Sequence, residues 1–147
     1  KSKITLIVLS FFIIFFIYNF FSLTPYQYTY LNNLNGESKN RYMKFENDYW
    51  TSSIGELIKN SSFSKNKNLK FSTCGLDGRI LKKYLNQKGY FNIDFVDPEN
   101  SEFIVMTNRT TFDNNMNITN CFDKFAGNDI FKVERNGLSL SVIRKIN

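Results

Sequence analysis

Histidine is absent from the 147 residues. That removes imidazole acid/base chemistry, His-based triads and most zinc sites. The chain holds only two cysteines, two prolines and one tryptophan, and alanine occurs once, at Ala126. Two thiols without histidine make a poor metal centre, so no metal is expected. No P-loop, dinucleotide fingerprint, Gly-x-Ser-x-Gly or paired-carboxylate signature is present, and no cofactor is expected either. Negative charge is scarce: 13 acidic residues face 19 basic ones, for a net charge of +6. The bias toward Asn, Lys, Ile and Phe follows AT-rich codons and reports genome composition rather than function. The length allows one domain of ordinary size.

What is plentiful is apolar surface in one place. Residues 4–23 read ITLIVLSFFIIFFIYNFFSL without a charge. As a helix they would span roughly 30 Å, the thickness of a bilayer core. Their apolar residues go all the way round, unlike those of an interfacial amphipathic helix. A signal peptide has a shorter apolar core and a small-x-small cleavage site. The bulky exit here favours a retained transmembrane helix over that alternative. Lys1 and Lys3 precede the span, and no Lys or Arg follows until Lys39. The positive-inside rule then places the N-terminus in the cytoplasm and the C-terminal part outside the plasma membrane, crossed once by this chain. Tyr18, Phe20, Phe21, Tyr26, Tyr28 and Tyr30 read, for the most part, as an interfacial aromatic belt.

The expected organisation is a transmembrane helix over 4–23, a juxtamembrane connector over 24–50 and an extracytoplasmic α/β domain over 51–147. The fold class is α+β, or small α/β, with a compact mixed sheet ending in a hairpin. In the connector, the alternation of Tyr26, Tyr28 and Tyr30 predicts an extended stretch, and residues 32–40 are turn-rich. A short helix is expected near 52–60, where Ser53 and Glu56 have capping-box spacing. A strand over 69–73, a helix carrying Leu76, Ile80, Leu81, Tyr84 and Leu85 and stopped by Gly89, and a strand with Phe91, Ile93 and Phe95 make a β-α-β pattern. The continuous run Phe103–Met106 suits a central buried strand, and 107–120 reads as loop. Asn136-Gly137 is a two-residue hairpin signal. Pairing outward from it sets Glu134 opposite Ser139, Val133 opposite Leu140 and Phe131 opposite Val142.

Few residues carry chemistry. Cys74 and Cys121, outside the cytoplasm, are expected to form a disulfide rather than two buried thiols. Asp113, Asn115 and Asn117 imitate a calcium loop, but Ile118 stands where glycine is required and Lys124 where a bidentate Glu is required. Asn60, Asn108 and Asn117 begin glycosylation sequons that matter only in a secretory host. Lys65, Lys67, Lys70, Lys82 and Lys83 read as solvated surface, and no nucleic-acid partner is expected. Asp48, Tyr49 and Trp50 set an acid beside two rings. Such a group can bind a sugar by stacking and by accepting hydrogen bonds from its hydroxyls, or can pin the connector to the domain or the bilayer surface. The structural role is favoured.

Four phrases together carry a resemblance: residues 24–32 (TPYQYTYLN) directly after the apolar span, 45–50 (FENDYW), 104–109 (IVMTNR) and 134–138 (ERNGL). The set resembles the C-terminal end of bacterial polytopic glycosyltransferases of the family 39-like, protein-mannosyltransferase-like group. It departs at Thr24, where the family commonly has His, and at Leu31, where Phe is usual. The resemblance implies a parent that transfers a sugar from a polyprenyl-phosphate carrier, with its acidic catalytic residues in a first external loop that has no counterpart here. This chain would then be a non-catalytic part whose partners are the bilayer, the rest of the enzyme and the lipid-linked sugar. Asp48, Tyr49, Trp50 and Arg109 match motif positions and are weak candidates for substrate binding. The alternative is an independent single-pass module that binds a partner or a cell-wall component.

Overall fold

The computed structural model describes residues 2–29, 48, 50–112 and 118–146. Helix α1, Ser2–Phe21, stands apart, with its aliphatic side chains and all of its aromatic ones except the half-buried Phe20 exposed. It is long and apolar enough to cross a membrane, a property that a signal sequence near an N-terminus shares. A 3-10 turn at Gln27–Thr29 follows. Then come α2, Ile54–Asn60; β1, Leu69–Cys74; α3, Gly78–Gln87; and β2, Ile93–Phe95. The chain continues with β3, Phe103–Thr107; β4, Thr110–Phe112; β5, Ile118–Asn120; and the short α4, Cys121–Lys124. It ends with β6, Asn128–Arg135, and β7, Leu138–Lys145. The fold is therefore mixed α+β, as expected.

Five strands form one sheet in the order β2-β1-β3-β7-β6, and β4 and β5 pair separately. β1 is parallel to both β2 and β3, and β7 is antiparallel to β3 and β6. The middle position of β3 explains its uninterrupted apolar run, since all five residues are buried. Phe103 and Val105 enter the core under α2 and α3, with Ile54, Leu57, Ile58, Phe71, Leu81, Leu85, Leu140 and Ile143. Ile104 and Met106 face the other side, with Cys74, Cys121 and Val142. The expected helix within 76–89 forms as α3, capped by Asp77, whose side chain accepts the Arg79 N–H. Gly89 follows it with φ +87, the left-handed conformation that ends a helix at glycine.

Three local expectations are revised. First, the hairpin turn forms at Asn136 and Gly137, both with positive φ as a two-residue turn requires. Glu134 pairs with Ser139, but Val133 then pairs with Ser141 and Phe131 with Ile143. Leu140 is an extra residue, a β-bulge, so the expected pairs Val133–Leu140 and Phe131–Val142 do not form. Second, where an extended stretch through Tyr26 and Tyr28 is expected, a 3-10 turn forms over 27–29, and Tyr30 lies outside the described residues. The turn sets the Tyr26 and Tyr28 rings edge to face, 6.3 Å apart. Tyr26 itself is buried in the domain core rather than in a lipid belt. Third, the stretch 107–120 read as loop contains the paired strands β4 and β5. The turn-rich segment 32–40 lies outside the described residues.

Candidate functional site

Asp48 is fully buried, and four donors converge on its carboxylate. The Tyr28 hydroxyl donates to Oδ1 at 2.6 Å, and the Ser52 amide donates to the same oxygen at 2.9 Å. The Ser53 hydroxyl donates to Oδ2 at 2.5 Å, with the Ser53 amide farther away at 3.4 Å. Between them Thr51 holds φ +55, a strained conformation for a β-branched residue, and its amide donates to the Asp48 carbonyl. That turn aims two successive amides at one side chain. The Ser53 and Ser141 hydroxyl oxygens are 2.6 Å apart. Because the single Ser53 hydrogen goes to Asp48, Ser141 is the donor in that pair. The bulge accounts for Ser141's direction: Leu140 and Ser141 both turn toward the α2 side, one into the core and one onto Ser53.

Burial pushes the Asp48 carboxyl above the ordinary aspartate range, and the donors from Ser53, Tyr28 and Ser52 only partly offset it. A carboxylate offers about four acceptor positions. Here four donors of the chain itself take them, so no open acceptor faces a sugar hydroxyl or a proton to be abstracted. The capping box does not form, because Ser53 makes no side-chain cap bond and spends its hydroxyl on Asp48.

Glu56 of α2 has a different task. It accepts the Tyr26 hydroxyl at 2.7 Å and a two-oxygen contact from Arg135, at 2.9 and 2.8 Å. Burial raises the Glu56 carboxyl, but the Tyr26 and Arg135 bonds outweigh it and hold the group below its usual value. Burial and the Glu56 bond both push the Tyr26 hydroxyl up, and burial with the Asp48 bond does the same for Tyr28. Arg135 also donates to the Thr24 carbonyl at 3.2 Å and lies over the Tyr26 ring, 5.2 Å from its centre. The neighbouring Asn136 donates to the Ser22 hydroxyl at 2.8 Å. The last hairpin is thus fastened to the first residues after α1.

The other expected positions fall around this joint. Trp50 is 75% exposed. Tyr49 lies outside the described residues. Asn108 is fully buried: its amide group donates to the Ser139 carbonyl and its side-chain oxygen accepts from Asn120. Its carbonyl is 3.5 Å from the Asp48 amide. The sequon at Asn108 is therefore closed in the folded chain, Asn60 is exposed, and Asn117 lies outside the described residues. Arg109 is half-buried beside the disulfide loop, where its carbonyl accepts the Cys121 amide. The backbone of Asn108 lies between Asp48 and Arg109, its carbonyl facing the Asp48 amide. Cys74 and Cys121 are bonded, with Cα atoms 5.7 Å apart, within the range a disulfide requires. Gly75, at φ +80, packs so closely on Thr107 and Arg109 that a side chain there would collide with them. Asp113, Asn115 and Asn117 of the calcium-like stretch are outside the described residues. Among the described residues no group of three or more acidic or cysteine side chains could hold a metal.

Sequence reasoning missed Tyr26, Tyr28, Ser53, Glu56, Arg135 and Ser141 as parts of one joint. The one available signal was that Tyr26, Tyr28 and Arg135 lie in the phrases that carry the resemblance. No family model, curated protein or solved structure matches the chain.

Proposed function

We propose that this chain is the C-terminal membrane helix and outer domain of an integral-membrane glycosyltransferase that uses a polyprenyl-phosphate-linked sugar. Its role is to fix a compact domain against the membrane exit of the last helix, over the mouth of a catalytic site carried elsewhere in the parent. One observation carries this reading. Residues from three of the four resembling phrases meet in the joint: Tyr26 and Tyr28 from the first, Asp48 from the second, Arg135 and Asn136 from the last. A shared packing role is a physical reason for such phrases to occur together. The enclosure of Asp48 supports a non-catalytic part, because a general base must reach its substrate proton. The disulfide and the basic N-terminal flank support an outer domain in an oxidising compartment.

The test has two arms. The in-frame DNA upstream of Lys1 should encode further hydrophobic spans, and a start codon beside Lys1 would favour the independent single-pass module. In membranes containing the parent, Asp48→Asn should lower sugar transfer without abolishing it. Loss of one supporting contact costs about 1–3 kcal/mol, or roughly 5- to 150-fold. Transfer by the 147-residue chain alone would overturn the non-catalytic assignment.

A further inference from the structure

The joint fixes which end of the sheet faces the helix exit. Asn136 in the β6–β7 turn bonds Ser22, the first residue after α1. β7 starts at that turn, and β3 runs antiparallel to it, so β1 and β3 point their carboxyl ends toward the exit. Asn108, just past β3, bonds the Leu140 and Ser139 carbonyls, two to three residues from the turn. At about 3.4 Å per residue that is roughly 7–10 Å along the strand. The Asp48 amide sits on the Asn108 carbonyl, and Trp50 is two residues further on. At the opposite end, Phe103 pairs with Lys145, seven residues beyond Leu138 and so about 24 Å from the turn. Phe91, 76% exposed, lies at that far end, next to Asn92, whose carbonyl accepts the Leu69 amide at the start of β1.

The large ring at the exit-facing end, Trp50, is 75% exposed and lies two residues from Asp48, on the end of the sheet where α1 leaves its apolar span. Indole and phenol rings partition to the headgroup level of bilayers, where an apolar body and a polar tip are both satisfied. We propose that Trp50 seats the outer domain on the lipid headgroup interface, so that the domain rests on the bilayer at the carboxyl ends of β1 and β3. The occupant of this surface is lipid, and its continuity with α1 identifies it. The inference rests on α1 spanning the membrane.

Trp50 is the only tryptophan, so its emission reports this contact directly. The full chain is reconstituted in phosphatidylcholine vesicles, and α1 insertion is scored separately by resistance to carbonate extraction. Trp50 emission is then measured with acrylamide as the aqueous quencher and with lipid brominated near the headgroup. The reference is Phe91→Trp in a Trp50→Phe background. Trp50 should emit at shorter wavelength than the Phe91→Trp reporter, be quenched by the brominated lipid and be shielded from acrylamide, while the reporter at 91 shows the reverse. Water-like emission from Trp50 with no brominated-lipid quenching, in a chain that resists extraction, overturns the interface contact and leaves the spanning helix intact. A chain that extracts freely overturns the spanning helix, and the contact with it.

Discussion

Replacing Asp48 separates a structural carboxylate from a catalytic one. In Asp48→Ala, Ser52 and the half-exposed Tyr28 recover water, whereas the Ser53 amide and hydroxyl are fully buried and do not. The Ser53 hydroxyl can turn to Ser141 Oγ, 2.6 Å away, but the amide has no such choice. An orphaned buried donor costs about 1–3 kcal/mol, and the lost charge-assisted bonds add to this. Relief of the buried charge offsets part of it. The expected loss is about 3 kcal/mol, roughly 10 °C in Tm for a domain of this size. Asp48→Asn keeps one carbonyl acceptor and should lose only about 1–2 kcal/mol. Urea unfolding of the full chain in detergent, followed by Trp50 fluorescence, measures both. The pH dependence adds a sign. Because the folded carboxyl titrates above the ordinary 3.8, the folded state binds the proton more tightly than the unfolded state. This raised-pKa contribution is fully present below 3.8 and is lost as pH rises through the folded value, so the wild-type advantage over Asp48→Asn is largest in acid. An Asp48→Ala chain as stable as wild type at every pH would refute the structural reading and return Asp48 to the substrate-binding candidates.

Glu56 should show the opposite slope: its lowered carboxyl contributes above 4.5 and is lost as pH falls through the folded value, so Glu56→Gln should flatten that acid limb in a pH series of Tm measurements. Arg135→Ala removes the Glu56 contact, the Thr24 bond and the stacking on Tyr26 from a partly buried position, and should cost about 2 kcal/mol by denaturant unfolding. Cys74→Ser, or reduction, opens a link across a sequence separation of 47 and should lower stability by roughly 3–4 kcal/mol, read as a fall in Tm with added reductant. A reporter active only outside the cytoplasm, fused after Asn147, should be active; a cytoplasm-only signal would sink the topology and weaken the case for an oxidising compartment.

Elements set by local pattern were legible in the sequence. The apolar period of α3 with Gly89 behind it, the unbroken run of β3 and the Asn136-Gly137 turn each determine their own structure within a few residues. The bulge was not legible. Leu138, Leu140 and Val142 alternate as well in a regular hairpin as in a bulged one. The choice is made by Ile143, which joins the core under α2, and by Ser141, which meets Ser53, 88 residues away in sequence. The capping box failed for a related reason. Ser53 and Glu56 have the right spacing, but a charged acceptor five residues back takes the serine hydroxyl, and Arg135, 79 residues on, takes the glutamate. Local spacing cannot rank a distant charged partner against a neighbouring amide. Asp48 stood out in the sequence as an acid among rings. Its enclosure depended on Tyr28, Ser52 and Ser53 folding over it.

The fastening of α1 to the domain also constrains the order in which the structure can form. The Thr24–Arg135 and Ser22–Asn136 bonds close sequence separations of 111 and 114 residues. The helix and connector are synthesised before the hairpin that holds them. Until that hairpin pairs with β3, Tyr26 lacks its Arg135 neighbour and Asp48 lacks the Ser141 end of its hydrogen-bond chain. Glu56 meanwhile lacks Arg135 and keeps Tyr26. Loop-closure entropy rises only slowly with length, so the separation itself costs little more than a shorter one would. The joint therefore owes its stability to the native sheet that presents Arg135, Asn136 and Ser141 together. Damage to the last two strands should release the connector from the domain before the β1–α3–β2 unit, whose contacts are nearer in sequence, comes apart.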